Sequence, residues 1–242
     1  MGSFKTLTVV TALSCVGLAQ QQVTTQLPPP IRATVAAERS MPEIVVNHSV
    51  TILSINKDGK PKGIGSGVIY VKNGMTYCLT AAHVVGEGDG SYYVRHQNAD
   101  SEVSTVWRGY PCVIDGDTDW AILRLEGDCN GSSMAASFDF TPVRRGQDML
   151  VAASPLGENN MVTEGIVAHN NRTVLWNTDR HIVVTCDGAF GSSGAGVYDA
   201  KTGKCVGIVV RMCSVSGLLY AIPINTILND LALLGQTDLL PT

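Results

Sequence analysis

The stretch Gly191-Ser192-Ser193-Gly194-Ala195-Gly196 decides how this chain is read. A serine flanked by small residues on a tight turn, just ahead of an apolar strand, suits a nucleophile whose hydroxyl must meet a carbonyl unobstructed. Ser193 is that candidate. Its glycine neighbours let the backbone bend so that the amides of Gly191 and Ser193 point at one place, as an oxyanion hole requires. Taken alone, such a segment reads only as a turn. The rest of the chain has to supply a base and an acid that orients it.

A base stands in Leu79-Thr80-Ala81-Ala82-His83-Val84-Val85, where a histidine follows an apolar strand between small residues that let other groups approach the ring. The near-neutral pKa of imidazole makes His83 a natural proton shuttle for a serine hydroxyl. His48, His96, His169 and His181 have surroundings that suggest only satisfied polar residues. An acid stands in Asp117-Thr118-Asp119-Trp120-Ala121-Ile122-Leu123-Arg124-Leu125, an acidic turn running into a strand. Asp119 is best placed to aim its oxygens at the second imidazole nitrogen and fix the tautomer. Asp115 and Asp117 read as ordinary turn caps.

Outward from these stretches, the chain shows short β-branched runs separated by glycine and polar turns. The first set is Ile44–Ile55, Ser66–Val71, Met75–Thr80, Ser91–His96, Ser104–Val113 and Trp120–Leu125. The second is Met149–Ala153, Val162–Ala168, Thr173–Trp176, His181–Cys186, Gly194–Asp199, Cys205–Met212 and Leu218–Ile224. Two sets of about six strands predict an all-β fold of two six-stranded antiparallel barrels, about 43–126 and about 141–224, with Gly127–Phe140 as their connection. Only residues 225–234 read as helix, with Ile227, Leu228, Leu231 and Leu234 on one face and Gly235 as a stop.

The 242 residues are 45% hydrophobic, enough to bury a sizeable core. A net charge of -4, with Arg144-Arg145 as the nearest approach to a basic cluster, gives no footprint for nucleic acid. Near the start, Lys5 precedes an apolar run from Leu7 to Leu18, then Ala19 and Gln20. That is the pattern of a secretory signal peptide, 1–19, cut after Ala19, and the run is too short to span a bilayer. Lipidation of Cys15 and myristoylation of Gly2 are weaker alternatives. Residues 20–42, Gln/Thr-rich with Pro28-Pro29-Pro30, read as a flexible linker, which leaves 43–242 as the folded domain. Without Cys15, six cysteines remain: Cys78, Cys112, Cys129, Cys186, Cys205 and Cys213. An exported chain can pair them, yet several fall in apolar runs where a free thiol packs as a small core residue, and both readings stay open. None stands in a C-x-x-C spacing, and neither a metal nor a cofactor is expected.

The order His83, Asp119, Ser193 resembles that of the chymotrypsin-like serine proteases and differs from the subtilisin and α/β-hydrolase orders. Within that family the chain is most similar to the protease domain of the HtrA (DegP-like) group from about residue 45 to 235. The similarity is carried by Gly65-Ser66-Gly67-Val68-Ile69, Leu79–Val84, Asp119–Leu123, Gly146-Gln147-Asp148 through Gly157, Val162–Val167 and Tyr220-Ala221-Ile222-Pro223-Ile224. The resemblance implies Greek-key barrels and a secreted or periplasmic serine endopeptidase acting on protein or peptide through an acyl-enzyme. It implies an extended substrate pairing with the edge at Val209-Val210-Arg211.

Two departures stand out. The group's nucleophile motif Gly-Asn-Ser-Gly-Gly-Pro has Ser192, Ala195 and Gly196 at three of its places, and the sequence ending at Thr242 leaves no room for a following PDZ domain. Residue 192 is serine rather than an aspartate able to pair with a freed N-terminus, so activity without zymogen cleavage is expected. Asp187, six residues before Ser193, stands where trypsin carries the acid that selects Lys or Arg. Met212 and Leu218 stand where trypsin has small residues, and together with Val210 they complete the expected pocket. A small or medium apolar preference is set ahead of a basic one. Two other readings are a double-barrel binding protein with a silent triad and a virally encoded processing peptidase; the fold alone does not separate them.

Overall fold

The computed structural model describes residues 39–86, 90–97, 104–127, 129, 134–158, 161–174, 177–213 and 216–241. The expected signal peptide, the Cys15 and Gly2 modification sites and nearly all of the expected linker lie outside them. Among the described residues the chain forms twelve strands closed into two antiparallel barrels of six. The first contains β1 (Ser49–Ile55), β2 (Pro61–Lys72), β3 (Met75–Thr80), β4 (Ser91–Gln97), β5 (Ser104–Asp115) and β6 (Trp120–Leu125), in the spatial order β1-β2-β3-β6-β5-β4. The second contains β7 (Asp148–Ala153), β8 (Met161–Val174), β9 (Asn177–Val184), β10 (Gly196–Asp199), β11 (Cys205–Met212) and β12 (Leu219–Pro223), ordered β10-β11-β12-β9-β8-β7.

The side-chain period of two explains the cores. In β4, Tyr92, Val94 and His96 point inward and are buried, while Tyr93 is exposed between them. β3 is buried along nearly its whole length, as is β7, because the second face of each is covered too. All six cysteines of 78–213 are free thiols, and Cys78, Cys129, Cys186 and Cys205 are buried. Burial pushes the thiols of Cys186 and Cys205 up to about 12 and that of Cys78 well up, so these side chains pack as small neutral hydrophobes.

Four expectations need correction. The β-branched run Ile44–Ile55 does not begin as a strand: Met41–Val46 forms a helix, α1, in which Glu43 Oε2 accepts from the Ser40 amide at 2.7 Å and hydroxyl at 2.9 Å. A serine followed three residues on by glutamate closes a first helical turn whatever the β propensity of Ile44, Val45 and Val46. α1 packs on β7 and β8. The runs Val162–Ala168 and Thr173–Trp176 are one long strand through Val174, because the intervening His169 and Arg172 stay paired with β9 across bulges. β10 starts at Gly196 instead of Gly194, the two preceding residues being held in the nucleophile turn. In the C-terminal helix α3 (Ile224–Leu233), Ile224, Ile227 and Leu231 are the buried positions, whereas Leu234 caps the helix and is exposed.

The C-terminal segment returns from the second barrel to the first. Trp120 Nε1 of β6 donates to Asp230 Oδ2 of α3 at 3.0 Å, and Tyr70 Oη of β2 donates to the Leu239 carbonyl at 2.7 Å. Burying Trp120 and Tyr70 with their polar tips satisfied lets large aromatics close the seam without an orphaned donor.

Candidate active site

His83 lies in α2 (Ala82–Val85), a single turn that ends β3 and faces solvent with the ring 48% exposed. Its Nδ1 is 2.8 Å from Asp119 Oδ2 and 3.0 Å from Oδ1, and its backbone amide donates to Oδ1 at 2.9 Å. The carboxylate therefore fixes both the ring and the peptide that carries it, and it requires the proton on Nδ1, leaving Nε2 unprotonated in the neutral ring. Asp119 reaches this position through a left-handed backbone, φ 71°. Its amide donates to the Asp115 carbonyl at 3.0 Å, while Asp115 Oδ1 accepts from the amides of Asp117 and Thr118 at 3.0 and 2.9 Å. Aspartate tolerates this conformation better than most residues, and the turn before β6 thereby aims it back at α2.

Ser193 stands in the turn entering β10. Gly194 donates to the Val209 carbonyl at 2.6 Å, and a Cβ on Gly194 would collide with the Ser66 carbonyl and Thr80 Oγ1. Its φ of 84° and this close approach both demand glycine. The turn thus presses on Thr80 and Ala81, the residues leading into His83. Gly65 separates Val84 from the Ser193 carbonyl on the other side. Gly191, φ 98°, packs against the backbone of Ser154 through Leu156, and the Phe190 carbonyl accepts from the Leu156 amide at 2.6 Å. With that carbonyl turned toward Leu156, the amide of the same peptide, Gly191 N–H, points the opposite way. Neither the Gly191 nor the Ser193 amide, nor the half-buried Ser193 hydroxyl, has a protein hydrogen-bond partner among the described residues.

Of the expected pocket residues, Val210 lines a cavity of about 560 Å³ together with His83 and Asp119. Asp187 and Met212 are exposed and Leu218 is half-buried, and none of the three lines that cavity. The residue that instead meets Gly188 is buried Leu219, whose side chain would lie 2.6 Å from a Cβ there. Arg211, expected at the substrate-pairing edge, and His181, expected only as a satisfied polar residue, also line the cavity. The β-branched context of His181 carries no chemical signal; only the pairing of β9 with β12 brings it near.

The family model described as trypsin-like peptidase domain matches residues 65–208, more than half of the chain and spanning His83, Asp119 and Ser193. The chain belongs to the trypsin-like peptidase family. It is 31% identical over 193 residues to a serine protease HtrA-like from Staphylococcus epidermidis, a match covering 73% of this chain and 32% of that protein. It is 29% identical over 180 residues to a probable periplasmic serine endoprotease DegP-like from Pseudomonas putida, covering 72% and 35%. The chain therefore spans about a third of the length of these curated relatives. Among solved structures it is similar to Deg5, with a TM-score of 0.62 and 22% identity, over 78% of this chain and 89% of Deg5. This trypsin-like peptidase domain is thus of HtrA type in sequence and fold.

Proposed function

We propose that this domain is an exported serine endopeptidase that hydrolyses peptide bonds through His83, Asp119 and Ser193. The observation that carries the reading is the Asp119–His83 Nδ1 pair at 2.8 Å, which leaves Nε2 to act as base beside the turn that presents Ser193. Ser193 Oγ attacks the scissile carbonyl carbon and its proton passes to His83 Nε2. The carbonyl oxygen, now negative, takes hydrogen bonds from the uncommitted amides of Gly191 and Ser193. As the C–N bond breaks, the imidazolium returns the proton to the leaving amine, and water then attacks the acyl-serine with the same base. Asp119 stays ionised and balances the imidazolium throughout.

An extended substrate adds to β11. β10 pairs with β11 only through Ile208, and the Ala195 carbonyl accepts from Val209, so beyond Val209 that edge has no strand neighbour among the described residues. Main-chain hydrogen bonds there align the scissile bond independently of its side chains. Activity needs no zymogen cleavage in this reading. Buried Ser192 closes the turn on itself, its hydroxyl accepting from the Ala189 amide at 3.1 Å and its amide donating to the Ala189 carbonyl at 3.0 Å. The periplasmic description of the Pseudomonas putida relative and the signal-like segment at 1–19 support an exported location.

A fluorophosphonate probe applied to the uncut protein beginning at Gln20 tests all of this at the nucleophile. Labelling is expected without added protease and is expected to vanish in Ser193→Ala. Folded protein that stays unlabelled would instead indicate a silent binding domain, and labelling only after proteolysis would indicate a zymogen.

A further inference from the structure

Ser66 is a fully buried serine of β2, in the first barrel, and it contacts the nucleophile turn of the second barrel with every polar atom it has. Its amide donates to the Ser193 carbonyl at 2.7 Å. Its hydroxyl donates to the Gly191 carbonyl at 2.7 Å and accepts from the Ser154 amide at 2.8 Å. Its own carbonyl accepts from Thr80 Oγ1 at 2.7 Å and lies directly against Gly194. A serine hydroxyl has one proton to give and lone pairs to receive, and here its donor and acceptor roles are both used without conflict.

We infer that Ser66 is a positioning residue for the oxyanion donors, an inference that rests on the peptidase reading above. The Gly191 amide belongs to the peptide Phe190–Gly191, and the Ser193 amide to the peptide Ser192–Ser193. Between them lies the peptide Gly191–Ser192, whose carbonyl is the one that Ser66 Oγ holds. The carbonyl on the far side of Ser193 is the one that the Ser66 amide holds. Ser66 therefore clamps the turn at two carbonyls that alternate with the two donors. It also holds Ser154, at the start of the segment whose Leu156 amide fixes the Phe190 carbonyl. Gly191 at φ 98° is free to rotate, having no Cβ to resist it, so the clamp supplies the constraint that the residue itself lacks. A main-chain hydrogen bond from the same residue cannot be removed by mutation, but the hydroxyl can. Donors held in place before the reaction stabilise the oxyanion without reorganisation, and that is where Ser66 acts.

The test compares the wild-type protein with Ser66→Ala and Ser66→Cys on a peptide substrate, each rate divided by the concentration of sites titrated with an acylating burst reagent. Loss of the hydroxyl is expected to lower kcat about tenfold to a hundredfold with KM unchanged, and to weaken a peptide boronate by a similar factor. Cysteine, close in size and a weaker donor, is expected to fall between, and it keeps the comparison open should the alanine variant not fold. A purely structural role would reduce the number of titrated sites and leave kcat per site as it was, and that result would overturn the inference. A wild-type protein with no burst and no turnover would overturn the peptidase reading and this inference with it. An active wild type with unaltered variants would overturn only the role of Ser66.

Discussion

His48, between α1 and β1, is buried with its ring 5.8 Å from Tyr198, and neither its Nδ1 nor the Tyr198 hydroxyl has a hydrogen-bond partner among the described residues. Burial, with a smaller contribution from nearby His96, lowers the His48 pKa to about 4. The folded protein thus keeps His48 neutral while the unfolded chain binds a proton below about 6.5. Stability from this group is complete above pH 6.5 and is lost as pH falls toward 4, on the order of 3 kcal/mol across that span. Urea unfolding midpoints are expected to fall from pH 7.5 to pH 4.5, and to fall less in His48→Phe, which removes the titrating ring. A variant as acid-sensitive as the wild type would place the effect on the carboxylates. Sequence alone showed His48 as a satisfied polar residue, since burial at a junction of two barrels leaves no mark on neighbouring residue types. His83 and Asp119 were legible for the opposite reason: each sits at a strand end among residues whose smallness or acidity has a local purpose.

At the scale of elements, β11 carries two of the residues expected in the substrate pocket, Val210 and Met212. The ladder between them shifts between Val209 and Arg211, so that Val210 is an extra residue in a bulge. Side chains alternate along a strand, and a shift of one position exchanges which of two neighbours faces the pocket. Spacing along the chain does not report local closure: Leu218 is half-buried beside buried Leu219, and Asp187, named by its distance from Ser193, is exposed. The same blindness to local closure made Ile44-Val45-Val46 look like strand, although Ser40 and Glu43 already spelled a helix start. With buried Leu219 against Gly188, the domain is expected to cleave a peptide library after small or medium apolar residues. Leu219→Ala is expected to raise kcat/KM for a phenylalanine substrate about tenfold. Cleavage chiefly after Lys or Arg would return the pocket to Asp187.

Across the whole molecule, the double-barrel plan could be read from the spacing of β-branched runs and turns. The state of its cysteines could not, because an even number of them in an exported chain fits bridges and free thiols equally. With all six thiols of 78–213 free, a reductant such as dithiothreitol is expected to leave the thermal midpoint within about a degree of its value in buffer. A loss of one disulfide would cost about 2–5 kcal/mol and show as a drop of several degrees. Because Ser66 of the first barrel holds the carbonyls of Gly191 and Ser193 in the second, parting the barrels would release the turn that carries Ser193. Loss of turnover in urea is then expected to coincide with global unfolding, so that turnover serves as a gauge of how tightly the halves are joined.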